Sequence, residues 1–471
     1  MSRFPWLPKI QQLFWILFLV SLPVTSFPYF PSGLGGSTLV RPLALYPLLV
    51  LLVIAVLPRL WQRPAPRTLL PFLAFVVVAL GSTAFSLLRD IDPVLGVSVP
   101  DRAIRTLISL FLGGAFYLAV TLIPQNRDDL RFSLRWLYAG FAMALAWGSL
   151  QALYVVHFNS VYFNIFKQLQ SLVSIRKLFP TRISGMTYEP NWFAEQISFL
   201  LMPWLFTAVF SGYSAFRWRW RKLTVEMLLL VWATGVLLFT YSRAGLILLA
   251  VQLSLIFLIR PRRSTDVPGL KIVGQRLLQA GLALVVLAGI VFIAGSQNNY
   301  FSRLWNYWSD EESTGNYLQY IAFDQRFAYW GTAYQIYADH PILGVGLGNY
   351  TFYFDEYLSD QPLYPTPELL ALLTPEAGRS QITSVKSFFP RLLAETGLLG
   401  TATFLAFLLA ILGSTLYLIL SPESEDQFWG RAGILVLVVF SAISFSFDSF
   451  SLPNMWIVLG FITAAAHTSK T

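Results

Sequence analysis

Three short stretches of this chain each set an arginine among small or polar residues. They are RISGMTYEPNWFAEQ (182–196), YSRAG (241–245) and DQRFAYWGTAY (324–334). A fourth, SVKSFFPRLLAETGLLG (384–400), adds Lys386, Arg391 and Glu395. A guanidinium is a planar fork of donors that pairs bidentately with phosphate oxygens. Several such groups converging on one rim of a helix bundle would form a polyanion site, suited to a lipid diphosphate lying at headgroup depth. Arg182, Arg243, Arg326 and Lys386 are the candidate phosphate contacts, and Asn191, Ser242 and Glu395 are candidate supports.

The same residues admit plainer roles. Arg243 could be an interface anchor with a buried stem and a snorkelling head, although positive charge is usually kept off outer turns. A loop arginine such as Arg182 is commonly just solvated, and Arg326 could pair with Asp324. Glu189, before Pro190, could simply favour a helix N-terminus. Glu395 could bond to another helix. The three histidines add little: His157 and His467 look peripheral, His340 in DHPILG looks structural, and no two have metal-ligand spacing. The expectation is no protein-bound metal and no cofactor. Cysteine is absent, which excludes disulfides and thiol catalysis.

These groups must be positioned by membrane helices. The chain has 471 residues, 56% hydrophobic and 12% charged, whereas soluble proteins are about 25% charged. Apolar runs of about 18–25 residues, long enough to span a bilayer, recur along it. They predict twelve spans: 11–27, 39–57, 69–87, 104–123, 133–156, 192–211, 223–241, 243–260, 275–295, 390–420, 431–449 and 452–466. The expected fold class is all-α, a polytopic integral membrane protein. The basic start MSRFPWLPK resembles a signal peptide but lacks a small-x-small cleavage site, so it reads as a retained first span. The loops PRLWQRPAPRT, PQNRDDLR, GYSAFRWRWRKL and RPRRSTDVPGLK are dense in Arg and Lys and mark one side as cytoplasmic, with both termini there. The fifth, SPESEDQFWGR, is acidic. Charge confined to short loops points away from a nucleic-acid partner, despite a net charge of +9.

The opposite side then holds two longer segments. Residues 157–190 include VYFNIFKQLQSLVSIRKLF, with the helical alternation of a surface-lying helix. Residues 296–386 include a helix with Trp330, Ala333, Ile336 and Tyr337 at helical spacing, stopped at ADHP and followed by a Gly-rich turn. QPLYPTPELLALLTPEAGRS reads as irregular, and no internal repeat is visible. The expected organisation is helices one to nine in 1–295, a large periplasmic helical loop in 296–389 and helices ten to twelve in 390–471. On this topology the arginine motifs face one compartment.

At these motifs the sequence resembles the O-antigen ligase and O-antigen polymerase family of bacterial integral membrane proteins. RISGMTYEPNWFAEQ resembles its Arg-x-x-Gly…Pro-Asn entry, and TYSRAGLI resembles its Ser-Arg turn. RFAYWGTAYQIYADHPILGVGLGNY resembles the helix and glycine turn of its outer loop, and LLAETGLLG the segment opening the next span. The four occur in family order over residues 182–400. The resemblance implies a GT-C-like, metal-independent glycosyltransferase of the bacterial inner membrane. Such an enzyme moves a glycan from undecaprenyl pyrophosphate to an acceptor hydroxyl on a glycan, lipid A core or protein, at the periplasmic face among membrane lipids. It implies that Arg182 and Arg243 contact the donor pyrophosphate, whose growing negative charge they would stabilise. One position departs: where ligases carry a histidine in a His-Asn-like pair, this chain has Lys386 and Ser387. A lysine is a poor base unless desolvated, but a good phosphate contact. That tilts the reading from ligase towards polymerase and leaves Glu189 as the alternative base. Pro390 suggests an altered entry into span ten. Two other classes stay open: a transporter of a small anion such as bicarbonate, and a non-catalytic partner in polysaccharide assembly. A transporter should show interrupted helices and midplane polar groups, whereas here polar residues crowd one rim.

Overall fold

The computed structural model describes residues 7–31, 39–62, 64–260, 269–296, 302, 305–307, 317, 325–358 and 382–469. The helices in chain order begin with α1 (Leu7–Ser21), α2 (Leu45–Gln62), α3 (Leu69–Ser86), α4 (Val99–Leu122) and α5 (Arg127–Val156). Next come α6 (Ser160–Gln170), α7 (Pro190–Ser211), α8 (Val225–Phe239), α9 (Arg243–Ile259) and α10 (Gly269–Gly295). They end with α11 (Gln325–Asp339), α12 (Tyr350–Leu358), α13 (Phe388–Leu420), α14 (Ser424–Ile443) and α15 (Asn454–Thr468). A two-residue antiparallel hairpin, Arg219–Trp220 with Leu223–Thr224, precedes α8.

Each of the twelve expected spans overlaps a helix. Among the described residues eight helices are long and apolar enough to cross a membrane, and α1, α8 and α9 are shorter apolar helices. The fourth short one, α15, has 15 residues and is buried from Asn454 to Ala466. A helix apolar on every face belongs inside. Small residues let its neighbours close on it: Gly113 of α4 meets the Trp456 ring and Gly460 meets Val120. Phe75, Phe404, Phe388 and Phe450 continue this aromatic core between α3, α13 and the chain before α15. By contrast α10 lies almost wholly on the outside of the bundle.

Caps and prolines moved several boundaries. Ser98 and Asp101 form a capping box that starts α4 five residues ahead of the expected span, and Asn126 caps α5. Within α2 and α7 a π-helical turn (Leu52–Val56, Ile197–Leu201) lies just before Pro58 and Pro203, which supply no N–H. The eleventh expected span, 431–449, is displaced: α14 ends at Ile443 and 444–453 is a non-helical connection.

The expected surface helix is α6. Asn159 caps it, and Phe166 and Gln170 turn inward, Gln170 accepting from Trp147 and Gln151. Val161, Ile165, Leu169 and Leu172 form an exposed apolar stripe on the other side, as expected of a helix lying at an interface. α11 stops at Asp339, within the expected ADHP, but its buried face is Ala328, Tyr329, Thr332, Ala333 and Ile336, with Trp330 and Tyr337 only partly covered. The Pro-rich stretch 361–380 and Asp324 lie outside the described residues.

Candidate functional site

The 182–191 segment and the turn between α8 and α9 are bound to each other. Ile183 N–H donates to Phe239 O (3.2 Å), and Arg182 Nε donates to Thr240 O (2.9 Å). The second arm of Arg182 donates to Asn191 Oδ1 (2.9 Å), at the first turn of α7. The turn itself is tight because Tyr241 takes a left-handed φ of 48°, unusual for a bulky residue. Ser242 then caps α9 by accepting from Gly245 N–H (3.3 Å), which puts half-buried Arg243 at the first helical position. Trp305, from the long connection, packs on Tyr241 and Leu246. Arg182, Asn191, Ser242 and Arg243 therefore lie on two segments bonded to each other.

The second half is built around Lys386, also left-handed at φ 54°. Its N–H donates to Asp448 Oδ2 (2.9 Å), and its carbonyl accepts from Arg326 (3.0 Å), which also donates to Phe445 O (2.9 Å). The ammonium stands 5.1 Å over the Tyr329 ring. Burial pushes the Lys386 ammonium below the usual lysine range and Arg326 adds to this, while Asp448 and Glu189 oppose it. Burial likewise lowers Arg326 and raises the Tyr329 phenol to about 12. Glu189 occupies the N-cap position of α7 without a side-chain capping bond, and its carboxylate lies 3.7 Å from Arg176. Glu189 is thus near enough to Lys386 to favour its charged form, though weakly.

Underneath lies an interruption of α13. Gly397 has φ 62° and ψ −162°, so the helix breaks there, and not at Pro390, which sits harmlessly in the first turn. The freed backbone groups find partners in the glycine turn after α11. Val345 N–H donates to Ala394 O (3.0 Å), Gly346 N–H to Glu395 O (2.8 Å) and Leu398 N–H to Pro341 O (2.8 Å). Gly344, Gly346 and Gly348 all have positive φ, and a Cβ on Gly344 would sit 2.6 Å from Ala394 O. Thr83, Ser86 and Arg102 hold the rest of the turn. The turn is thus a re-entrant piece wedged among α3, α4 and α13, where irregular backbone is allowed because protein satisfies it. The Glu395 carboxylate pairs with Arg391 of its own helix (2.8 Å), while its carbonyl accepts from Ser82 of α3 (2.9 Å); Arg391 also donates to Asp448 O. His340 packs on Tyr353, with ring centroids 5.7 Å apart. Among the described residues no cluster of metal-capable side chains is present.

Four participants escaped the sequence reading: Arg102, Arg176, Tyr188 and Asp448. Arg176 stacks on Phe179 and Tyr188 and donates to the Tyr188 hydroxyl (2.9 Å). Asp448 had a signal, being a lone carboxylate in SAISFSFDSFSLP, a run otherwise read as a span. Arg102 had a weaker one, an arginine at the head of an apolar helix. For Arg176 and Tyr188 only the folded loop reveals the role.

The family model described as O-antigen ligase matches residues 228–405, so this stretch carries an O-antigen ligase domain. That span takes in the Arg243 turn, α11, the re-entrant turn and the first part of α13. It supports the O-antigen ligase/polymerase family and, with it, a membrane protein of glycosyl-transferring type. No curated protein matches the chain.

Proposed function

We propose that this chain, with its O-antigen ligase domain, is a metal-independent glycosyltransferase that takes a glycan from undecaprenyl pyrophosphate and extends or attaches a polysaccharide. The observation that carries the reading is the single assembly of Arg182, Asn191, Ser242 and Arg243 at the α8–α9 turn. In this reading the two guanidinium forks hold the donor pyrophosphate. The acceptor oxygen bonds to the anomeric carbon as the bond from that carbon to the pyrophosphate oxygen breaks. Charge grows on that oxygen, and fixed cations stabilise it without reorganisation. The acceptor proton passes to Glu189. Lys386, whose ammonium lies over the Tyr329 ring, adds a further cation to this reading.

The organisation expected from the sequence goes with this proposal: helices in 1–295 and 390–471, and a periplasmic unit in 296–389. The basic loops support a cytoplasmic assignment for the opposite end. A polymerase is favoured over a ligase because Lys386 stands where ligases carry histidine. The test is a reconstituted assay in liposomes, with labelled undecaprenyl-pyrophosphate glycan and no divalent metal. Lipid pyrophosphate release with chain growth supports a polymerase, and release only with an added acceptor supports a ligase. No release from any host donor would sink the proposal in favour of a transporter or an inactive partner.

A further inference from the structure

At the other end of the bundle lies a second basic site, in a cavity of about 910 Å³. Two helices fix its distance from the arginine assembly. Arg102 near the start of α4 bonds Gly348 O, while Ile123, just past its far end, lines the cavity. At 1.5 Å per residue, the intervening helix is about 30 Å long. Likewise α5 contributes Arg131 and Arg135 to the cavity, yet reaches the 184–185 backbone with Gln151.

The lining holds four arginines, Arg59, Arg131, Arg135 and Arg217, against two aspartates, Asp128 and Asp129. Arg59 donates to Leu122 O and Ile123 O (3.4 and 3.1 Å), and Arg135 donates to Ala215 O. These carbonyls orient the guanidinium planes at the cavity wall. Arg131 is shared with Glu425 (3.0 Å). The volume lies within the ordinary range of ligand sites.

We infer that this cavity binds the headgroup of an anionic phospholipid. The flanks decide for lipid over a soluble anion. Trp61, one turn-half beyond Arg59, is 89% exposed, and Trp218 and Trp220 alternate with Arg217, Arg219 and Arg221 on the exposed hairpin. Tryptophans of this kind sit at headgroup level. On α1, which also forms the wall through Gln11 and Gln12, Leu13 and Leu17 face outward where acyl chains would run. Basic pockets between membrane helices suit phosphate headgroups for this reason.

The test is thermal unfolding of the full-length protein in neutral detergent, titrated with phosphatidylglycerol, phosphatidylcholine or inorganic phosphate. Phosphatidylglycerol alone should raise the midpoint saturably. Arg217 is exposed, so Arg217→Gln should fold normally and bind phosphatidylglycerol about fivefold more weakly. Asp128 is 93% exposed, and Asp128→Asn should bind more tightly. Equal stabilisation by phosphatidylcholine, or indifference to both substitutions, would overturn the pocket. The same shift with inorganic phosphate alone would overturn the lipid assignment.

Discussion

The two ends of the bundle use arginine differently. At the Arg182 end, the guanidiniums of Arg182 and Arg326 are anchored on main-chain carbonyls of Thr240, Lys386 and Phe445. At the far end, Arg127 is joined to Asp426, and Arg131 to Glu425. A carbonyl fixes the plane of a guanidinium without the full negative charge that would cancel it. A carboxylate cancels the charge and ties two elements together, here α5 to α14. One end therefore presents oriented positive charge, and the other also uses arginine to tie elements together. Arg391–Glu395 is an ion pair at the first end, but it is buried beneath the re-entrant turn and belongs to the scaffold. Around the far cavity, Arg59 and Arg135 follow the carbonyl-anchored pattern, in keeping with a ligand there.

This contrast breaks most sharply at Arg243. Arg243→Ala should lower transfer at least about 100-fold, as removal of a single charge-stabilising donor does elsewhere. The melting temperature in detergent should stay close to wild type, because the group's task is to meet a ligand. Arg243→Lys should rescue only partly, since an ammonium cannot make a fork. Wild-type turnover in Arg243→Ala would return that residue to an interface anchor.

Asp426→Ala should do the reverse. It leaves Arg127 beside a vacated partner and removes an acceptor for Ser421 and Ser469, at a cost of about 3 kcal/mol in stability. Detergent melts should fall by several degrees, while transfer per folded molecule is retained. Activity loss without a melting change would contradict the division between the two ends.

Gly397→Ala sharpens the comparison from the scaffold side. The added methyl would press on the Ile342 carbonyl at a φ that side chains rarely adopt. A loss of about 2–3 kcal/mol is expected, together with weaker turnover, because the re-entrant turn and the Lys386 segment share α13. Hydrogen exchange should rise across 341–349. An unchanged exchange pattern would show that the break is not held by that turn.

The smallest expected effect concerns pH. The folded-state pKa of Lys386 lies below its unfolded value, so the charged form is the one folding disfavours. Between the two values the unfolded chain binds more protons, and stability rises as pH increases through the folded value. If transfer uses the charge, its alkaline limb should begin below the usual lysine range. Lys386→Arg should shift that limb upward while keeping the cation. A limb that does not move in the arginine variant would assign it to another group.

What could be read from the chain alone is instructive in its particulars. The turn YSRAG was legible because a charge between two apolar runs must be explained. The α6 stripe was legible because periodicity survives in a short helix. The break at Gly397 was not: TGLLG sits in a run whose hydropathy is unbroken, and a glycine inside a helix pattern is usually tolerated. Asp448 was hidden because hydropathy averaged it into a span that ends at Ile443. The choice of Arg391 as partner for Glu395 was open to inspection at i, i+4 spacing, but the burial that makes it structural was not.

By itself the sequence determined the apolar helices, the presence of arginine and carboxylate between them, and the order of the motifs, because hydropathy and periodicity act within a few residues. Tertiary structure decided that Arg182 leans on Thr240, that the Lys386 N–H meets Asp448, and that a glycine turn fills the gap in α13. Those outcomes depend on which buried backbone groups need partners once the helices have packed. That need belongs to no local stretch: a carbonyl freed at Gly397 is satisfied by a residue some fifty positions earlier, and only the assembled bundle sets the two side by side.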